Sequence, residues 1–221
     1  MATVEATFLF ADIAGFTALT EAHGDEEAAQ LVDRFCTEVG ALLPGFGAEK
    51  VKSIGDAVLL RVDEPRAAVA LGLRLAHGML GDHGAPTIRV GMHHGSAVRQ
   101  YDDYFGTTVN VAARVSALAA GGEVLLTAAT GAVAGEVGGV VYEARGRHEL
   151  KGITDPVELV AAVSLAAADT AGRAIDPVCR MAVSPERAAG RLVFEDVPYY
   201  FCALECAGAF ARDPGRYAGA R

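Results

Sequence analysis

The chain has 221 residues, 52% of them hydrophobic and 21% charged, with a formal net charge of −9. That composition suits a folded chain of one large domain, or a medium domain with a small companion, and excludes an intrinsically disordered one. The acidic balance argues against nucleic acid as a partner, because phosphate binding calls for a basic face. Charge is uneven along the chain: residues 172–221 carry seven arginines and six acids, about +1, which leaves about −10 for the rest. The opening MATVEATFLF lacks the basic start of a signal peptide, and no apolar run reaches the roughly 20 residues of a membrane span. A soluble, cytoplasmic protein with no membrane partner is expected.

In chain order, residues 4–11 read as a strand that delivers a lone acid, Asp12, at its tip. EEAAQLVDRFCTEVGALL places Leu31, Phe35, Val39 and Leu42 on one helical stripe, which Pro44 and Gly45 end. AEKVKSI and AVLLRV flank Gly55-Asp56 and read as a hairpin. PRAAVALGLRLAHGML is helical with Pro65 in its first turn, and TIRVGMHHGSAV is a strand. TVNVAARVSALAA is helical to Gly121-Gly122, and VVYEARGRHELKGITDPVELVAAV reads as a closing pair of strands. The order β-α-β-β-α-β with added pieces predicts an α+β sheet of ferredoxin-like type. SLAAADTAGRA, residues 164–174, reads as a linker to a tail of about 47 residues, a size that often needs a metal or another staple.

In a ferredoxin-like sheet the third strand runs antiparallel beside the first. Asp12, ending the first, and Asp56, beginning the third, therefore meet at one sheet edge. Two carboxylates forced together repel unless a cation lies between them, and hard oxygen ligands suit Mg²⁺. Taken singly, Asp12 would serve as a helix N-cap and Asp56 as a turn residue. Asn110 and Arg114, four apart on a helix, present an amide and a guanidinium fork suited to sugar and phosphate oxygens, or simply a solvated face. Lysine occurs three times against sixteen arginines, and Lys52 stands inside an apolar strand, either as a required point charge or as an edge-strand guard.

FLFADIAGFT, VKSIGDAVLL and YDDYFGTTVNVAAR, in that order, resemble the core motifs of the class III nucleotidyl cyclase catalytic domain over residues 4–163. The resemblance implies a ferredoxin-like cyclase homology domain at residues 1–163, working as a homodimer whose sites are shared between chains. It implies that Asp12, Asp56 and the backbone carbonyl of Ile13 hold two Mg²⁺ or Mn²⁺ ions. Lys52 and Asp103 match the base-selecting pair, Asn110 the ribose-orienting residue and Arg114 the transition-state arginine. Asp103 is chosen over Asp102 because it stands seven before Asn110. Lys151 is a candidate triphosphate contact, because Ile153 occupies the place where a basic residue is expected. Lysine donates only and aspartate accepts only, a pattern that suits adenine and rejects guanine. The implied reaction converts ATP to 3′,5′-cyclic AMP and pyrophosphate. A guanylyl cyclase, or a catalytically silent metal-binding sensor or scaffold on the same fold, is the alternative. His93 and His94 are read as structural.

DPVCRMAV, YYFCALEC and DPGRY resemble a YHS domain over residues 175–221. Cys179, Cys202 and Cys206 are soft ligands for Zn²⁺ or Cu⁺, with Cys202 and Cys206 on one face if helical. With no histidine after His148, the fourth ligand would come from Asp176, Met181 or a partner chain. Arg180 stands where the family often has glycine. The implied role of the module is to report metal or redox state.

Overall fold

A computed structural model describes residues 2–78, 85–165 and 173–218. Twelve residues form β1 (Ala2–Ile13), followed by α1 (Phe16–His23) and α2 (Asp25–Leu42). Then come β2 (Ala48–Ile54), β3 (Ala57–Val62), α3 (Pro65–Gly78), a two-residue β4 (Ala85–Pro86), and β5 (Ile88–Gln100). The body continues through β6 (Asp103–Phe105), α4 (Thr107–Leu118), β7 (Val124–Thr127), α5 (Ala128–Ala134), β8 (Val140–His148) and β9 (Val157–Ser164). The main sheet runs β2-β3-β1-β5-β7-β9-β8, with β6 paired to β5. Its first four strands have the ferredoxin-like order, with β1 antiparallel to both β3 and β5.

Period-two alternation along β1 divides the protein into two faces. Leu9, Ala11 and Ile13 join the large core with α1, α2 and α3, through Leu19, Leu31, Phe35 and Leu71. Ala6 and Phe8 point the other way, onto Leu59, Tyr104, Val109 and Ala112 beneath α4. A Cβ on Gly91 would lie 2.0 Å from the backbone nitrogen of Ser116, so the bare glycine is what lets α4 lie directly on β5. Two short helices were not expected from the sequence. α1 is only eight residues long, between Gly15 and Gly24, and α5 is seven. Neither spans enough turns to show a hydrophobic period.

The tail forms β10 (Ala174–Ile175), β11 (Met181–Val183), the hairpin β12 (Gly190–Phe194) and β13 (Val197–Phe201), then α6 (Leu204–Arg212) and α7 (Pro214–Ala218). The expected linker lies mostly outside the described residues. The tail is docked rather than appended. β11 pairs with β4 of the body, and Val178, Cys179, Met181, Phe201, Cys206 and Phe210 join the large core. The Arg180 side chain takes the space that a Cβ on Gly15 would need, 2.6 Å from its Cγ, and the Thr87 hydroxyl donates to the Arg180 carbonyl at 3.1 Å.

Two tail details qualify the sequence reading. Cys202 precedes α6 rather than sharing its face with Cys206. Arg180 adopts φ 65, a left-handed backbone that favours glycine.

Gly91→Ala should lift α4 from the sheet and cost about 3 kcal/mol, the upper range for overpacking against backbone. The measurement is the urea midpoint of the purified protein. A variant within 0.5 kcal/mol (about the scatter of neutral surface changes) would mean α4 does not rest on β5.

Candidate active site

The end of β1 and the turn after β2 place two acids side by side. Asp12 pairs with Ala57 in the β1–β3 ladder, and Asp56 is the preceding turn residue, after Gly55 at φ 61. The Asp56 carboxyl lies against that of Asp12, close enough for a hydrogen bond between them. Its pKa is pushed up to about 6, first by burial and then by the hydrogen bond and negative charge of Asp12. A repelling carboxylate pair is the charge pattern that a divalent cation relieves, and its hard oxygen donors fit Mg²⁺ or Mn²⁺. Ile13 is a buried core residue, so only its backbone is available beside Asp12.

On the other side of β1, Asp12 faces Arg89 of β5. The Arg89 Nε donates to Asp12 Oδ2 at 2.7 Å, and Nη2 donates to the same oxygen. Sequence reading missed Arg89. Its signal was the register itself, since once β1 and β5 are aligned antiparallel the arginine of TIRVGM falls opposite Asp12.

The base-selecting candidates are also brought together. Lys52 Nζ donates to Asp103 Oδ2 at 2.6 Å, across 51 residues of chain. Lys52 stands opposite Leu59 after a bulge in β2, on the same sheet face as Asp12 and α4. The Tyr104 backbone N–H donates to the other Asp103 oxygen at 2.8 Å. Burial opposes ionisation of Asp103, but the Lys52 hydrogen bond, the Tyr104 amide and the Lys52 charge together hold its pKa below the usual carboxylate value.

Asn110 and Arg114 sit on the exposed side of α4, while Val111, Ala112 and Val115 on its other side are buried. Lys151 is exposed in the turn between β8 and β9. That turn is anchored by Leu150 and Ile153, which pack with Val111 and Val115 of α4. Ile153 is thus committed to the core, and Arg147 is engaged with the Pro156 carbonyl at 3.4 Å.

His93 is bound to Thr127 Oγ1 at 2.8 Å, and burial, then the nearby His94, push its pKa down to about 4. It is neutral near pH 7 and held in a hydroxyl network. His94 contacts Thr7 at 3.0 Å and Glu5 at 3.5 Å.

Cys179, Cys202 and Cys206 converge, with Sγ–Sγ separations of 3.3 Å for the first pair and 3.9 Å for the second. The Asp176 carboxyl borders the Cys202 and Cys206 thiols but is not one of the four ligand atoms that cluster tightly. Its carboxylate accepts from the backbone N–H groups of Val178 at 2.9 Å, Cys179 at 3.4 Å and Cys202 at 2.9 Å, which holds the two cysteine-bearing turns. Met181 is buried in the core. The side chain that joins the thiols is His23 of α1, 179 residues before Cys202, which no local pattern signals.

A family model for the adenylate and guanylate cyclase catalytic domain matches residues 2–161, and one for the YHS domain matches residues 174–221. An adenylate cyclase of Streptomyces griseus is 39% identical over 120 residues, 54% of this chain and 30% of that protein. A pH-sensitive adenylate cyclase of Mycobacterium tuberculosis is 34% identical over 161 residues, 70% of this chain and 40% of that protein. The chain therefore spans less than half the length of these curated relatives. Among solved structures, the adenylyl cyclase CyaB from P. aeruginosa aligns with TM-score 0.65 and 24% identity, over 74% of this chain and 97% of that one. An adenylate/guanylate cyclase/hydrolase from Silicibacter pomeroyi aligns with TM-score 0.65 and 25% identity, over 73% and 98%.

In metal-free protein the Asp56 carboxyl should titrate near pH 6 by carbon-13 NMR, ionising above that pH. Asp12→Asn should lower this value by removing the repelling charge, while burial keeps it above 3.8. An unchanged Asp56 titration in that variant would contradict the pairing.

Proposed function

We propose, since the chain belongs to the family of adenylate and guanylate cyclase catalytic domains, that it is an adenylyl cyclase, converting ATP to 3′,5′-cyclic AMP and pyrophosphate. The observation that carries the choice of ATP is the Lys52–Asp103 pair. Adenine presents an acceptor at N1 and a donor at its exocyclic amine, while guanine presents the reverse. A donor-only lysine to N1 and an acceptor-only aspartate to the amine satisfy adenine and leave both groups unpaired against guanine.

Asp12, Asp56 and the Ile13 carbonyl would hold divalent cations, which when bound supply Lewis-acid activation of the 3′-hydroxyl and neutralise the leaving pyrophosphate. Asn110 orients the ribose so that the 3′-hydroxyl lies in line with the α-phosphate. Arg114 stabilises charge building on that phosphate in the transition state. Arg89, paired with Asp12 in the free protein, is a cation at the carboxylate pair that a phosphate can attract. Lys151, exposed beside α4, is a weaker candidate for the same anion. No side chain is assigned as general base: His93 is locked to Thr127 with its pKa near 4, and the substrate or water takes the proton.

Asn110 and Arg114 face solvent, away from the core of their own chain, which supports a site completed across a dimer. We read the active form as a homodimer in which one chain supplies Asp12 and Asp56 and its partner supplies Lys52, Asp103, Asn110 and Arg114, giving two equivalent sites. Exposed Ile54, Phe105 and Leu118, flanking these groups, provide apolar area for that contact. Nucleic acid and membrane play no part in this reading, and the reaction is placed in the cytoplasm. Among the described residues no helix is long and apolar enough to cross a membrane.

Purified protein given ATP or GTP with Mg²⁺ or Mn²⁺ should form cyclic AMP from ATP and no cyclic GMP. Arg114→Ala should lower kcat about 10³-fold with little change in KM, as loss of a transition-state contact does. Lys52→Ala should lower kcat/KM for ATP about 100-fold. Cyclic GMP as the main product would overturn the base assignment. No product from either nucleotide would overturn the enzyme assignment in favour of a silent scaffold.

A further inference from the structure

We infer that His23 of the catalytic body and Cys179, Cys202 and Cys206 of the tail form one tetrahedral Zn²⁺ site that locks the two parts of the chain together. The four ligand atoms all lie within 4.8 Å of one another. Cys202 Sγ is 3.3 Å from Cys179 Sγ and 3.9 Å from Cys206 Sγ. The His23 Nε2 is 3.6 Å from Cys202 Sγ and 3.8 Å from Cys206 Sγ. A tetrahedral zinc with Zn–S of about 2.3 Å and Zn–N of about 2.05 Å requires S–S separations of about 3.8 Å and S–N separations of about 3.6 Å. The Cys202–Cys206, His23–Cys202 and His23–Cys206 spacings fall within about 0.2 Å of those values, and the Cys179–Cys202 pair is about 0.5 Å closer. They are well beyond the roughly 2.05 Å of a disulfide.

Ligand chemistry points the same way. Three sulfurs and one imidazole make a closed Cys₃His set, the composition of a structural zinc site. The other ring nitrogen of His23, Nδ1, lies 3.6 Å from Glu27 Oε1 in the first turn of α2, an ion-pair distance. A carboxylate on that side of the imidazole favours a proton on Nδ1 and leaves Nε2 to the metal. Asp176 holds the Cys179 and Cys202 turns through three backbone amides, so the sulfurs are positioned before an ion arrives. Cys179 and Cys206 are fully buried, whereas Cys202 and His23 border a cleft with Ala22, Glu27, Arg34 and Glu205 that gives an ion a way in.

The site has a structural consequence. His23 is the last residue of α1, and α1 begins three residues after Ile13 at the carboxylate pair. The tail also reaches the start of that helix, where Arg180 covers Gly15, and Thr87, just ahead of β5 and Arg89, whose hydroxyl donates to the Arg180 carbonyl. Zinc would therefore fix the His23 end of α1 to the tail, while Arg180 holds the Gly15 end.

The test uses the full chain, purified reduced and metal-free. Wild type should bind one Zn²⁺, and Co²⁺ in its place should give the intense visible bands of tetrahedral coordination with sulfur-to-cobalt charge transfer. X-ray absorption at the zinc edge should fit three sulfurs and one nitrogen. Zinc should slow hydrogen exchange in residues 16–23. His23→Ala should weaken Zn²⁺ binding by at least about 100-fold, since even outer-shell partners cost 10- to 100-fold. His23→Cys should restore a tetrahedral site with four sulfurs, which keeps the test decisive if His23→Ala folds poorly. Wild-type affinity and an unchanged cobalt spectrum in His23→Ala would overturn the proposal. So would failure of the reduced wild type to bind, or a Cys179–Cys202 disulfide as the form recovered under reducing conditions.

Discussion

Asp12 stands opposite Ala57 on one neighbour and Arg89 on the other, and the chemistry of this protein depends on that double register. Side chains alternate along β1 with a period of two, so a slip of one residue would turn Asp12 into the apolar core and bring Ala11 out in its place. The register is held by the core itself. Leu9, Ala11 and Ile13 are almost wholly buried on one face and Phe8 on the other, and a slip would expose or clash all of them. Burial of several apolar side chains, each stabilising by about 1.5–3 kcal/mol, holds two carboxylates near each other against their repulsion. Burial first, and then the neighbouring Asp12 carboxyl, push the pKa of Asp56 up to about 6.

The same face carries the second set of groups. Lys52 and Asp103 are paired above the sheet, and α4 lies over β5 at Gly91 and turns Asn110 and Arg114 outward. A single chain thus displays the acidic half and the basic, polar half of the proposed site on one surface. Two chains related by a two-fold axis would set each half against the other's complement. Apolar residues exposed beside these groups would be buried in that contact.

Much of the body was legible from sequence because its signals are periodic and long. The helical stripe through Leu31, Phe35 and Val39, the Gly55-Asp56 hairpin and the closing strand pair all appear where pattern placed them. The α+β order then brought Asp12 beside Asp56 by topology alone. What pattern could not reach were short or long-range features. α1 and α5 are too short to show a period, and Arg89 gains meaning only from register. His23 meets the thiols across 179 residues of chain, whereas local sequence offers only Asp176, Met181 or a partner chain as the fourth member of that cluster. Asp176 borders two of the thiols while accepting from the backbone amides of their turns, and Met181 is buried in the core. The docking of the tail was equally hidden, since a hydrophobic residue in sequence does not declare which core it joins.

The central claim, that an active site needs carboxylates from one chain and Arg114 from another, is tested most directly by mixing two inactive variants. Asp56→Ala and Arg114→Ala chains, each nearly silent alone, would be combined, allowed to exchange subunits and assayed for cyclic AMP. Random exchange makes about half the dimers mixed, and each mixed dimer carries one intact site of two, so about a quarter of wild-type activity should return. A mixture no more active than the two variants assayed separately would contradict the shared site.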